Sequence, residues 1–136
     1  MIKGIIFADD FSKYINSSTF IGVLNDGIVS KEELILDFKE KFQFPHGSIS
    51  WDSLDDLLSD FQWLDATRVL IVHKSIPSLI NNDLKIYLDI LSKVSFYDPN
   101  RDLKRYFKKY KVKSFDGVIA IMPSKYKDMI EVILKS

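Results

Sequence analysis

Five aspartates, Asp52, Asp55, Asp56, Asp60 and Asp65, fall between Ile49 and Ala66 with no lysine or arginine among them. A row of carboxylates can hold a hard divalent cation, act as general acid and base, or pair with cationic groups on a partner. Spacing decides which. At 3.6 residues per turn, Asp52, Asp55, Asp56, Ser59, Asp60 and Trp63 share one helix face. Leu54, Leu57, Leu58 and Phe61 share the other, with Trp51 at the margin. Like charges three and four residues apart repel, and an ordinary surface mixes its signs. The uncompensated face therefore reads as a contact surface for a cationic partner. Trp63 joins it as an expected contact residue, because tryptophan is enriched at binding hot spots. Asp52 gains from the dipole at the helix N-terminus, whereas Asp60, expected near the C-terminal end, opposes it.

Other chemistries fit less well. His46 and His73 beside the aspartates would suggest a metal-dependent nuclease, but nothing in the spacing brings His73 to Asp52. A histidine at the end of an apolar run is usually a packed or rim residue. No Gly-rich phosphate loop, His-x-x-x-His pair or nucleophile elbow is present. The expectation is a binding protein and not an enzyme, with no cofactor and no metal. From Arg101 to Lys113 seven basic residues stand against one acid, Asp102. They interleave with Tyr106, Phe107 and Tyr110, a pattern that phosphate-tracking, base-stacking segments use. This segment, residues 101–113, supports the alternative of a nucleic-acid-binding module. The favoured view is a surface helix with Leu103, Phe107 and Tyr110 packed down and its lysines in water, so that nucleic acid is not the expected partner.

The elements that must hold these residues are legible. Phe20–Leu24 is a short apolar run ended by Asn25-Asp26-Gly27, a strand and a turn. Ser30 with Glu33 forms a capping box that opens a helix from Lys31 to about Phe42. Ser50 caps the acidic helix, expected from Trp51 to about Gln62. The unbroken runs Arg68–His73 and Asp116–Met122 predict strands buried on both faces, as in a parallel sheet. Asn82 or Asp83 caps a helix to about Val94, Arg101–Tyr110 is a further short helix, and Lys125–Leu134 is the last. Strands separated by helices call for parallel pairing through right-handed crossovers. The fold class is α/β: a small three-stranded parallel sheet flanked by helices, with Lys3–Phe7 as a possible fourth strand at an edge.

The 136 residues suit a single domain. Hydrophobic residues make up 46% and aromatic ones 13%, enough for a packed core. Cysteine is absent, which excludes disulfides and thiolate metal sites and fits a reducing, cytoplasmic setting. The first residues are too short and too acidic for a secretory signal, and no apolar run is long enough to span a membrane. Net charge is zero, yet acidic and basic residues are segregated, so the molecule should have an acidic side and a basic side.

The ordered set of motifs resembles the barstar family, the barnase inhibitors. The likeness runs through Ile21-Gly22-Val23-Leu24-Asn25-Asp26-Gly27, Ser30-Lys31-Glu32-Glu33-Leu34 and Phe42-Gln43-Phe44-Pro45. It is most specific at Trp51 to Leu58 and continues in Leu84–Asp89 and Gly117–Met122. The resemblance implies a three-stranded parallel sheet and an immunity-type inhibitor that occludes the active site of a ribonuclease or ribonuclease-like toxin; the expected setting is bacterial, and the free protein is expected to be a monomer. Position by position, it implies that Asp52 and Asp56 enter the enzyme's site, with Asp56 the deepest anchor, and that Asp89 makes a peripheral ion pair. His46 stands near a contact tyrosine, Ser50 replaces an asparagine cap, and Asp55 replaces a contact tryptophan. Trp63 lies two positions from another contact tryptophan. The likeness gives no counterpart for residues 1–19, an N-terminal extension, or for an insertion at about 95–114.

Overall fold

A computed structural model describes residues 2–80 and 82–136. In chain order the elements are β1 (Ile2–Lys3), β2 (Ile6–Phe7), β3 (Thr19–Leu24), α1 (Lys31–Lys41), α2 (Trp51–Leu58) and β4 (Arg68–His73). They continue with α3 (Asp83–Val94), β5 (Phe96–Tyr97), α4 (Leu103–Tyr110), β6 (Gly117–Met122) and α5 (Lys127–Lys135). The expected α/β class and its parallel strands are present. β4 lies between β3 and β6, parallel to both, with Leu70 paired to Ile21 on one side and Ile119 on the other.

The outer edge of β6 is finished by short pieces. β5 pairs antiparallel with the start of β6, β2 pairs parallel with its end, and β1 adds to β5. The single edge strand expected over Lys3–Phe7 is thus two dipeptides. Each pairs with a different neighbour.

Every residue of β4 and β6 is buried, as unbroken apolar runs require when both faces are covered. The chain moves from β3 to β4 to β6 in one direction, so right-handed crossovers put the connecting helices on the same face. There Phe38, Leu54, Leu58, Tyr87, Leu91 and Ile130 from α1, α2, α3 and α5 meet Val69, Ile71, Val118 and Ala120. No crossover helix is left for the other face. Tyr14, with Ile6, Ala8 and Phe11 around it, closes over Leu70, Val72, Ile119 and Ile121. Residues 6–14 are therefore the lid of the second core.

A buried ion pair ties that lid down. Arg68 Nε and Nη2 donate to Asp116 Oδ1 and Oδ2 at 2.9 and 2.7 Å, and Nη1 donates to the Tyr14 carbonyl at 2.8 Å. Bidentate geometry and the third bond satisfy a charge that would otherwise be costly inside. Among the described residues, no helix is long and apolar enough to cross a membrane.

Candidate partner-binding surface

The acidic helix is positioned from its N-terminus. Ser50 Oγ accepts from the Ser53 backbone N–H at 3.1 Å, as the sequence predicts for a cap. Ser53 in turn presents its hydroxyl oxygen to the Ser48 N–H at 3.1 Å, which fastens the preceding loop onto the helix. Gly47 makes this contact possible. Its φ of +123° belongs to glycine, and a β-carbon there would lie 2.7 Å from Ser53 Oγ and 2.8 Å from a Leu57 methyl. Leu54, Leu57 and Leu58 seat the helix in the core. Trp51 stacks on Tyr87 and donates through Nε1 to Asp83 at 3.2 Å, which locks α2 to α3.

Asp52 and Asp56 stand exposed on the crest that this packing leaves outward. One side of the crest is the loop with His46, which is exposed and shares a hollow with Ser48, Ile49, Leu36 and Leu57. The other side is a groove against α3, where Asp52 and Asp55 meet Ile86, Asp89 and Lys93. Asp89, distant in sequence, is thus brought beside the acidic helix. Its carboxylate lies 3.8 Å from Lys85 in a solvent-exposed pair of little energetic weight.

Three expectations need correction. Sequence spacing extends the helix to Gln62, but it ends at Leu58 with Ser59 as cap, and Phe61 turns the chain with a φ of +54°. Asp60 therefore sits in the exit turn beside Ser59 and not on the helix face. Trp63 is not on the outer face at all. Its indole N–H donates to the Phe42 carbonyl at 2.9 Å and its ring packs against Phe44 and Phe61, so it is a half-buried core residue. Nor is the face wholly uncompensated, because Lys93 of α3 pairs with Asp55. Lys93 lies 38 positions away, beyond the reach of any helix-spacing rule.

His73 is packed, as its place at a strand end suggests. It lies fully inside between the Ile121 carbonyl, 2.9 Å from Nδ1, and the Tyr87 hydroxyl, 2.5 Å from Nε2. Burial pushes its pKa down from 6.5 to about 4, so the ring is neutral at pH 7. Among the described residues no cluster of three or more His, Asp or Glu is arranged to hold a metal ion.

Taken together, the parallel sheet, the helices on one face and the carboxylate crest define a small α/β protein with an acidic surface helix. Residues 20–113 match the model of one family, Barstar (barnase inhibitor), and the chain belongs to the barstar family. No curated protein and no solved structure matches it.

Proposed function

We propose that this protein is an immunity-type inhibitor that binds and occludes the active site of a ribonuclease or ribonuclease-like toxin inside the producing cell. The observation that carries the reading is the crest itself. Among the described residues neither Asp52 nor Asp56 makes an ion pair, and they project between the His46 loop and the Asp89 groove. A ribonuclease cleft is cationic because it holds a phosphodiester. Two fixed carboxylates can occupy the phosphate positions and accept charge-assisted hydrogen bonds from its Arg, Lys and His groups. Family membership supports the same partner class.

The division of labour follows from position. Asp56 and Asp52 enter the cleft. Asp55, held by Lys93, sets the flank, and His46, Ser59, Asp60 and Asp89 form the rim. Trp63 is withdrawn from the contact set. No turnover and no cofactor are involved. Because α2 is capped, bonded to its loop and locked to α3, little ordering is left for the moment of binding, which favours affinity.

The test is an inhibition titration against small ribonuclease toxin domains, including one encoded beside this protein where such a gene exists. RNA cleavage is followed with wild type and Asp56→Ala in parallel. Stoichiometric inhibition that the substitution abolishes is the expected result. Failure to inhibit any member would overturn the assignment.

A further inference from the structure

The basic helix α4 has no part in the site above, and it is not packed as its sequence suggests. Leu103, Tyr106, Phe107 and Tyr110 line one side of it at 3.6 residues per turn. None of them is buried, and none joins either core cluster. Phe107 is 55% exposed, Tyr110 51%, and Val112 just beyond them 46%. The helix is held by its ends instead. Asp102 caps it by accepting from the Arg105 N–H at 3.0 Å, and Arg101 donates to the Phe115 carbonyl at 2.9 Å. At the far end the Lys113 backbone and the Gln62 side-chain amide exchange two bonds of 2.8 Å. A contiguous apolar stripe left open in this way marks an interaction surface.

Its complement lies next to it. Ser59, Asp60 and Gln62 at the exit of α2 form one wall of a cleft, and Arg101, Tyr106, Val112 and Lys113 form the other. The acidic and basic limbs thus border the same cleft. Adjacent patches of opposite sign are self-complementary about a two-fold axis: the acidic limb of one copy meets the basic limb of the other, twice, and the assembly closes. Apolar cover is present too, since Ile49 and Ile86 flank α2 and are 45% and 37% exposed.

We propose that the free protein associates as a two-fold dimer in which α4 of each copy lies on the acidic face of α2 in the other. Lys104 and Lys109, which border the aromatic stripe, face the aspartates, and Phe107 and Tyr110 cover the isoleucines in a helix-in-groove contact. This replaces the monomer expected from sequence. A nucleic acid strand suits α4 less well. Arg105 and Lys108 lie on the side opposite the aromatic stripe, so one strand could not both stack and pair along the helix. If Asp52 and Asp56 are also the toxin's contacts, toxin and second copy compete for one surface. That clause alone rests on the proposed function.

The experiment is sedimentation over a concentration series without any toxin. It is run at about 0.01 M salt, where screening reaches about 30 Å, and about 1 M, where it reaches about 3 Å. A dimer at low salt that dissociates at high salt is expected. Lys104→Glu/Lys109→Glu and Asp52→Lys/Asp56→Lys should each be monomeric alone and folded by circular dichroism. Mixed in equal amounts they should form a heterodimer, because both contacts become complementary again. A wild type that stays monomeric at low salt overturns the proposal, as does a dimer that both charge reversals leave intact. Binding of single-stranded RNA or of anionic vesicles by a monomer, lost in the Lys104→Glu/Lys109→Glu variant, would also overturn it by assigning α4 a different occupant.

Discussion

Acidification should weaken this fold through one residue, His73. Its neutral ring donates from Nδ1 to the Ile121 carbonyl and accepts at Nε2 from the Tyr87 hydroxyl, and both contacts are inside the core. Protonation would place a charge there, and among the described residues no carboxylate pairs with the ring. The folded chain therefore refuses a proton until about pH 4, whereas the unfolded chain accepts one near 6.5. Stability is complete above about pH 6.5, falls as pH drops through the interval, and levels off below about 4. A tenfold difference in proton affinity is worth about 1.4 kcal/mol, so the loss across the interval is roughly 3 kcal/mol. The assay is urea unfolding from pH 7 to pH 4, on wild type and on His73→Gln. Asp9, Asp10 and Asp26, whose pKa values are lowered by hydrogen bonds to Ser124, Ser12 and Ser75, weaken the fold at still lower pH and do so equally in both proteins. The variant should be less stable at pH 7 yet lose less on acidification. Parallel pH profiles for the two proteins would refute the reasoning, as would an NMR titration showing the His73 ring protonated at pH 6.

Other expectations follow from contacts already described. Asp56→Ala should cost about 2–5 kcal/mol of toxin binding, about 30-fold or more in Kd, as loss of one partner from a buried charge pair does. Asp60→Ala, at the rim, should alter mainly the association rate and its salt dependence, which stopped-flow mixing reads directly. Asp116→Ala would leave the Arg68 guanidinium buried and unpaired, at a cost of about 3–5 kcal/mol in urea unfolding. Gly22→Ala would set a methyl 2.2 Å from the Phe42 ring, and overpacking of that kind costs about 1–3 kcal/mol, to be read from the same transition.

Strands β4 and β6 were legible because their apolar runs are unbroken and lie between helical patterns. Helices α1 and α2 were legible at their starts because Ser30 and Ser50 cap them through their side chains. The end of α2 was not. Phe61 and Gln43 adopt left-handed conformations without the glycine or asparagine that would announce a turn. Extending α2 through Phe61 carried Trp63 onto the wrong face. Periodicity also sees only one element at a time, so it could not show Lys93 reaching Asp55 or Asp89 entering the same groove. For α4 the amphipathic pattern was read correctly, but a pattern says which side is apolar and not whether anything covers it. The lid function of the N-terminal residues was hidden for a further reason. It follows from the absence of a crossover helix on one face, which is a property of strand order.

Ser53 lies at a position where the difference between a contact and its support can be measured. It does not belong to the crest, yet its hydroxyl oxygen holds the Ser48 N–H and so fixes the loop that carries His46. Ser53→Ala keeps the helix, since its backbone N–H still bonds to Ser50, but frees the loop. A hydrogen bond of this kind is worth about 0.5–1.5 kcal/mol, and most of that should appear as an ordering cost when the partner binds. Affinity should fall by about 2- to 10-fold, with a more unfavourable binding entropy by calorimetry and faster amide exchange at Ser48. His46→Ala in the Ser53→Ala background should then cost less than in wild type, because a loop already mobile no longer presents the ring. If the two losses simply add, His46 does not depend on the loop's anchoring, and pre-organisation through Ser53 is the wrong account of this rim.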